Sequence, residues 1–135
     1  MFLVGGPLLL GRPLARVDDG QRGRDHDDFA STAVLGGLFT SNGLAWSPDG
    51  RRMYHSDSRG QYMQAFDYDP ATGAIANGLR LRTFTDAEGR PDGAAVDQEG
   101  FYWSAGVSAG CLNRIAPDGT IVERLVLPVP APSMP

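Results

Sequence analysis

From residue 43 onward the apolar residues come in short runs of four to seven, each closed by a turn rich in glycine, proline and aspartate. Runs of that length bounded by such turns predict strands. They fall near 43–46, 52–56, 62–67 and 79–84, and again near 94–97, 101–105, 111–116 and 121–127. Between them no stretch is long enough for an amphipathic helix. Ser47-Pro48-Asp49-Gly50 and Asp97-Gln98-Glu99-Gly100 predict hairpin turns, with glycine supplying the left-handed conformation at low steric cost. Asp69-Pro70-Ala71-Thr72-Gly73 and Pro117-Asp118-Gly119 predict the same for a second hairpin in each set.

The two sets are a repeat. Ser41-Asn42-Gly43-Leu44-Ala45-Trp46 returns fifty positions later as Pro91-Asp92-Gly93-Ala94-Ala95-Val96, with Gly43/Gly93, Gly50/Gly100 and Ala45/Ala95 in register. Four strands in about fifty residues is the period of a β-propeller blade. The expected fold is therefore all-β, a partial propeller of two four-stranded blades over 33–135. A β-sandwich with coincidental internal similarity is the alternative. The apolar stretch Met1–Leu10 lacks a basic segment ahead of it and is broken by Gly5-Gly6-Pro7, so it reads as neither leader nor membrane span. Residues 12–28 have neither strand nor helix period. An irregular or disordered N-terminal segment over 1–32 and a cytoplasmic location are the expectations.

Composition supports the turn-rich reading: 18 Gly and 10 Pro among 135 residues suit short strands better than long helices. Twelve Lys+Arg against sixteen Asp+Glu, a formal charge of −4, argues against nucleic acid or a polybasic membrane contact. One cysteine, Cys111, excludes an internal disulfide and a Cys-based zinc site. Two histidines, His26 and His55, leave oxygen as the main ligand chemistry for any metal.

Asn42 and Asp92 carry the candidate chemistry. Each directly precedes the glycine that opens the innermost strand of its repeat, and equivalent places in successive blades lie around one axis. An amide oxygen and a carboxylate suit a hard divalent cation. Equally, both side chains would serve as Asx caps steadying a tight turn. Other polar residues point to the fold: Asp25–Asp28 to a solvated loop, His55 to a packed or edge position, Asp57 and Asp67 to turn and strand ends, Cys111 to a small core residue. Trp46 and Trp103 are expected to face a core, Trp103 lying near enough to the axis for substrate contact.

The segments SNGLAWSPDGRRMYHSDS (41–58), AFDYDPATG (65–73), GRPDGAAVDQEGFYW (89–103), RIAPDG (114–119) and LPVPAP (127–132) closely resemble the SMP-30/gluconolactonase/LRE (regucalcin-like) family. The match runs from about residue 33 to the end, in the family's order and spacing. It implies a six-bladed propeller whose enzymes hydrolyse sugar lactones with one divalent cation in the central channel. Ca²⁺ is the foremost candidate, with Zn²⁺, Mg²⁺ or Mn²⁺ as alternatives. It also implies that Asn42 is a metal ligand and that Asp92 is both ligand and general base. Two further family ligands are missing. No Glu precedes Glu88, and Arg16-Val17-Asp18-Asp19-Gly20 has Asp18 where the family has asparagine, too close to Asn42 for the family spacing. The implied protein is a fragment with weak or no lactonase activity alone, its open blade edges inviting self-association. The alternative is a non-enzymatic β-repeat binding or scaffold module.

Overall fold

The computed structural model describes residues 3–4 and 32–135. Asp18, the Asp25–Asp28 cluster and nearly all of the segment 1–32 lie outside the described residues. One short ladder pairs β1 (Leu3–Val4) with β2 (Thr32–Ala33). The rest forms two four-stranded antiparallel sheets, each strand paired with its neighbour in sequence. The first sheet is β3 (Ser41–Trp46), β4 (Arg52–Asp57), β5 (Tyr62–Tyr68) and β6 (Ile75–Thr83). The second is β7 (Pro91–Val96), β8 (Tyr102–Gly106), β9 (Cys111–Ile115) and β10 (Ile121–Val126). The first strands of the two sheets, β3 and β7, pack side by side. No helix among the described residues is long and apolar enough to cross a membrane.

The turn chemistry acts as the sequence predicts. Gly50 N–H closes on Ser47 O at 2.8 Å and Gly100 N–H on Asp97 O at 3.0 Å. Both glycines have positive φ, 67° and 87°.

Three strand starts differ: β3 and β7 begin at Ser41 and Pro91, two and three residues before the expected 43 and 94, and β6 differs most. β6 begins at Ile75, four residues before the expected 79, and runs through Asn77-Gly78. That pair forms a β-bulge: Leu79 and Ala76 oppose Ala65 and Asp67, so two residues stand against Phe66. Asn77 takes the left-handed conformation at φ 51°. A Cβ on Gly78 would come within 2.5 Å of the Phe66 ring, so only glycine lets that ring lie there.

The main core lies between the sheets. Ala45, Tyr54, Met63, Ala65 and Phe84 meet Ala94, Tyr102 and Ile115 there. A second cluster, Val34, Met53, Phe66 and Ile75, covers the far face of the first sheet. Apolar cover on both faces explains why Met53 to Asp57 are all buried where strict alternation would expose every second residue. After β10 the chain crosses back toward β7: Leu127 N–H bonds Gly110 O at 2.8 Å, and Gly93 N–H bonds Ser133 O at 2.9 Å.

Candidate functional site

Both inner strands carry a bulge at the opening glycine, Gly43-Leu44 in β3 and Asp92-Gly93 in β7, one residue apart in the repeat. In the first sheet Asn42 opposes Ser56 and Ala45 opposes Tyr54. Residues directly opposite share a face, and Ser56 and Tyr54, two apart, share theirs. Asn42 and Ala45 therefore point the same way although three apart, which an unbulged strand forbids. The shared face is the one turned to the second sheet, where Ala45 and Tyr54 enter the core. In the second sheet Pro91 opposes Gly106 and Ala94 opposes Ser104, giving the same two-against-one count around Asp92-Gly93. Gly43 has φ 56°, and a Cβ there would stand 2.2 Å from both Ser56 Oγ and Tyr102 Oη. Glycine is required by conformation and by space.

The outcome is contact between the two predicted residues. Asn42 Nδ2 donates to Asp92 Oδ1, fifty residues away. The same amide nitrogen donates to Ser58 Oγ at 3.2 Å, and Asn42 Oδ1 accepts from Gly43 N–H at 3.0 Å. Asn42 thus caps its own turn and reaches across to the second sheet. Asp92, by contrast, receives its side-chain hydrogen bond from Asn42 alone among the described residues. Both residues are half-buried, open on one side. Gly93, next to Asp92, lies under the C-terminal segment: a Cβ on it would meet Met134 Sδ at 1.9 Å.

The donor chemistry of this pair fits a hard cation. A half-turn of the Asn42 amide presents oxygen in place of nitrogen toward the Asp92 carboxylate, giving amide and carboxylate oxygens at one point. The number of donors is small. No group of three or more His, Cys, Asp or Glu side chains capable of holding a metal occurs among the described residues.

Asp57, behind the site, shapes the approach to β3. Its carboxylate accepts main-chain N–H groups of Phe39 at 2.7 Å, Thr40 at 2.9 Å and Gly60 at 2.9 Å. Burial alone would raise this carboxyl. The amides of Gly60, Phe39, Thr40 and Arg59 outweigh it and hold the group below its usual range. His55 is fully buried between Ser41 Oγ, 2.9 Å from Nε2, and Gln64 Nε2, 3.1 Å from Nδ1. Burial pushes its imidazole down to about 4, against the pull of Asp57, so it is neutral at physiological pH. It is packed, as the first of its two expected placements has it. Asp67, exposed, accepts from Asn77 at 2.7 Å, and Cys111 is wholly buried.

Two expectations need correction. Trp46 faces the second cluster, opposite Met53, but only at its rim: it is 36% exposed and meets Tyr68 edge-on at 5.7 Å. Trp103 does not enter the core: it is half-buried, opposite exposed Ala95. Its indole N–H donates to Asp97 Oδ2 at 3.0 Å, at the hairpin end of β7 opposite Asp92. A half-buried indole N–H needs an acceptor, and Asp97 is the one within reach. Arg114 shares that carboxylate at 2.8 Å. Burial would raise Asp97, but the Phe101 amide, Trp103 and Arg114 bring it down to about 2.

Ser58 and Tyr102 belong to the neighbourhood of the pair and are not legible from sequence. Ser58 touches Asn42 by its hydroxyl; Tyr102 touches the Gly43 main chain at 2.6 Å across 59 residues. A contact to a carbonyl leaves no residue pattern.

Two blade-like sheets with a polar pair where their inner strands meet define a β-propeller protein whose candidate site lies at that junction. The family model described as "SMP-30/Gluconolactonase/LRE-like region" matches residues 14–135. The chain belongs to that family. It is 37% identical over 125 residues to the 6-deoxy-6-sulfogluconolactonase of Pseudomonas putida, covering 92% of this chain and 40% of that protein. It is also 37% identical over 93 residues to the L-arabinolactonase of Azospirillum brasilense, 69% of this chain and 31% of that one. The calcium-binding protein regucalcin from Agrobacterium tumefaciens superposes with a TM-score of 0.73 at 25% identity, over 78% of this chain and 36% of its own. The chain therefore spans well under half the length of these relatives.

Proposed function

We propose that Asn42 and Asp92 form part of a metal-dependent site for hydrolysis of a sugar lactone. The observation that carries this is their contact across the two blades, each beside the bulge of its inner strand. The lactonases of Pseudomonas and Azospirillum and the calcium-binding regucalcin supply the substrate class and the cation, Ca²⁺ foremost.

When bound, the divalent cation would polarise the lactone carbonyl as a Lewis acid. Asp92 takes the proton of the attacking water, whose oxygen adds to the carbonyl carbon. The ring C–O bond then breaks, and that proton passes from the Asp92 carboxyl to the ring oxygen as it leaves. Asn42 holds the carboxylate through Nδ2 in the free site, and its flipped amide would offer oxygen to a bound cation instead. Ca²⁺ takes about six to eight oxygen ligands, so two side chains hold it weakly and the chain alone should hydrolyse lactones near the background rate.

Calorimetric titration of Ca²⁺ into the purified chain tests the site. Weak saturable binding, abolished in both Asn42→Ala and Asp92→Ala, is expected. Binding that is absent, or that survives both substitutions, overturns the reading.

A further inference from the structure

We infer that Tyr102 is a positioning residue for the Asn42–Asp92 pair, its hydroxyl fixing the Gly43 main chain from the opposite blade and so aiming Asn42 at Asp92. This rests on the reading of that pair as the functional site.

Tyr102 lies on β8, is 0% exposed, and its Oη donates to Gly43 O at 2.6 Å. It is a direct polar tie from the second sheet to the bulge of the first. A bulge takes main-chain groups out of the ladder, and a buried carbonyl left without a donor is costly, so the bulge needs such a partner. Burial pushes the phenol well above its ordinary range, so it remains a protonated donor throughout the neutral range.

The crowding at this point is what makes the tie directional. The position a Cβ would take on Gly43 lies 2.2 Å from Tyr102 Oη, 2.2 Å from Ser56 Oγ and 3.0 Å from the Asp92 main-chain oxygen. Ser56 Oγ is buried beside the phenol hydroxyl. Gly43 is the residue directly after Asn42, and its N–H already holds Asn42 Oδ1. Tyr102 fixes the Gly43–Leu44 peptide, and the crowded, positive-φ conformation of Gly43 relays that constraint to the preceding Asn42–Gly43 peptide, whose N–H holds the Asn42 amide end that faces away from Asp92. A phenylalanine would fill the same volume without that constraint.

The test compares Tyr102→Phe with Tyr54→Phe in the full chain. Tyr54 sits in the same core, its ring 5.4 Å from that of Tyr102, and serves as the control for a lost buried hydroxyl. Two readouts are taken: amide exchange at Gly43 and Leu44, and the nuclear Overhauser contact between the Asn42 side-chain amide and Asp92. In Tyr102→Phe, exchange at Gly43 should rise about 10-fold relative to β5 and the contact should fade, as for a lost supporting contact behind a site residue. Tyr54→Phe should leave the contact and the ratio of exchange rates unchanged. If the two variants behave alike in contact and exchange, the positioning role is overturned. If the wild-type chain binds no Ca²⁺, the site reading fails by itself, and the contact and exchange measurements still decide the role of Tyr102.

Discussion

Asp57 is the residue whose removal should cost the fold most for a single polar side chain. It is fully buried and accepts three main-chain N–H groups, from Phe39, Thr40 and Gly60. Two of these belong to the segment leading into β3, the third to the turn after β4. Asp57→Ala leaves three donors without their acceptor. Hydrogen bonds to a charged group contribute roughly 1.5–3 kcal/mol each, and partial rehydration of the loop amides returns some of that. About 3–5 kcal/mol of lost stability is expected, a large part of the total for a domain of this size. The pH dependence follows from the direction of the shift. The folded-state carboxyl is held below its ordinary range. Its contribution is thus complete above the unfolded value near 4 and is lost as pH falls through the lower folded value. Urea unfolding of wild type and Asp57→Ala at several pH values should show a gap that is widest above about pH 5 and narrows below about pH 4. A gap under about 1 kcal/mol at neutral pH, or one as wide at pH 3, would show that water satisfies those amides.

Two further outcomes are expected. Gly43→Ala should destabilise the chain by several kcal/mol more than Gly50→Ala: both positions have positive φ, costing about 1–2 kcal/mol, but a Cβ at 50 meets nothing within 4 Å whereas one at 43 meets three atoms. Equal urea midpoints for the two variants would contradict the crowding at the bulge. His55, lowered to about 4, binds a proton more readily unfolded than folded. Stability should therefore be full above about pH 6.5 and fall by about 3 kcal/mol as pH drops from there to about 4. The slope should disappear in His55→Gln, and its persistence there would assign it to another group.

The repeat made the architecture legible. Gly43/Gly93 and Gly50/Gly100 in register placed the hairpins, and the equivalence of Asn42 and Asp92 predicted that they would meet. What the period could not supply was the direction of individual side chains. Trp46 reads as core because it is large and lies in a strand, yet on the face of the second cluster it reaches only the rim, 36% exposed beside Tyr68. Asn77-Gly78 has turn chemistry and forms a bulge, since the Asp69–Gly73 loop has already reversed the chain. Trp103 is drawn by its N–H to Asp97, a partner set by the fold of a hairpin and not by strand pattern. Tyr102 is the hardest case: a buried tyrosine in a strand looks like volume, and its acceptor is the backbone of another blade.

The paired bulges carry one more implication. Each works as a change of parity within its strand, so that the odd positions on one side continue as the even positions on the other. The two ends of β3 and of β7 are thereby uncoupled: the core end can keep its apolar alternation while the residue at the site obeys a separate count. A substitution on one side of Gly43 or Gly93 leaves the other side's orientation intact. Loss or gain of a single residue between them would not. It would restore one uninterrupted alternation and turn Asn42 or Asp92 away from its counterpart, together with its strand neighbour Ser41 or Pro91, while the core end of the strand keeps its order.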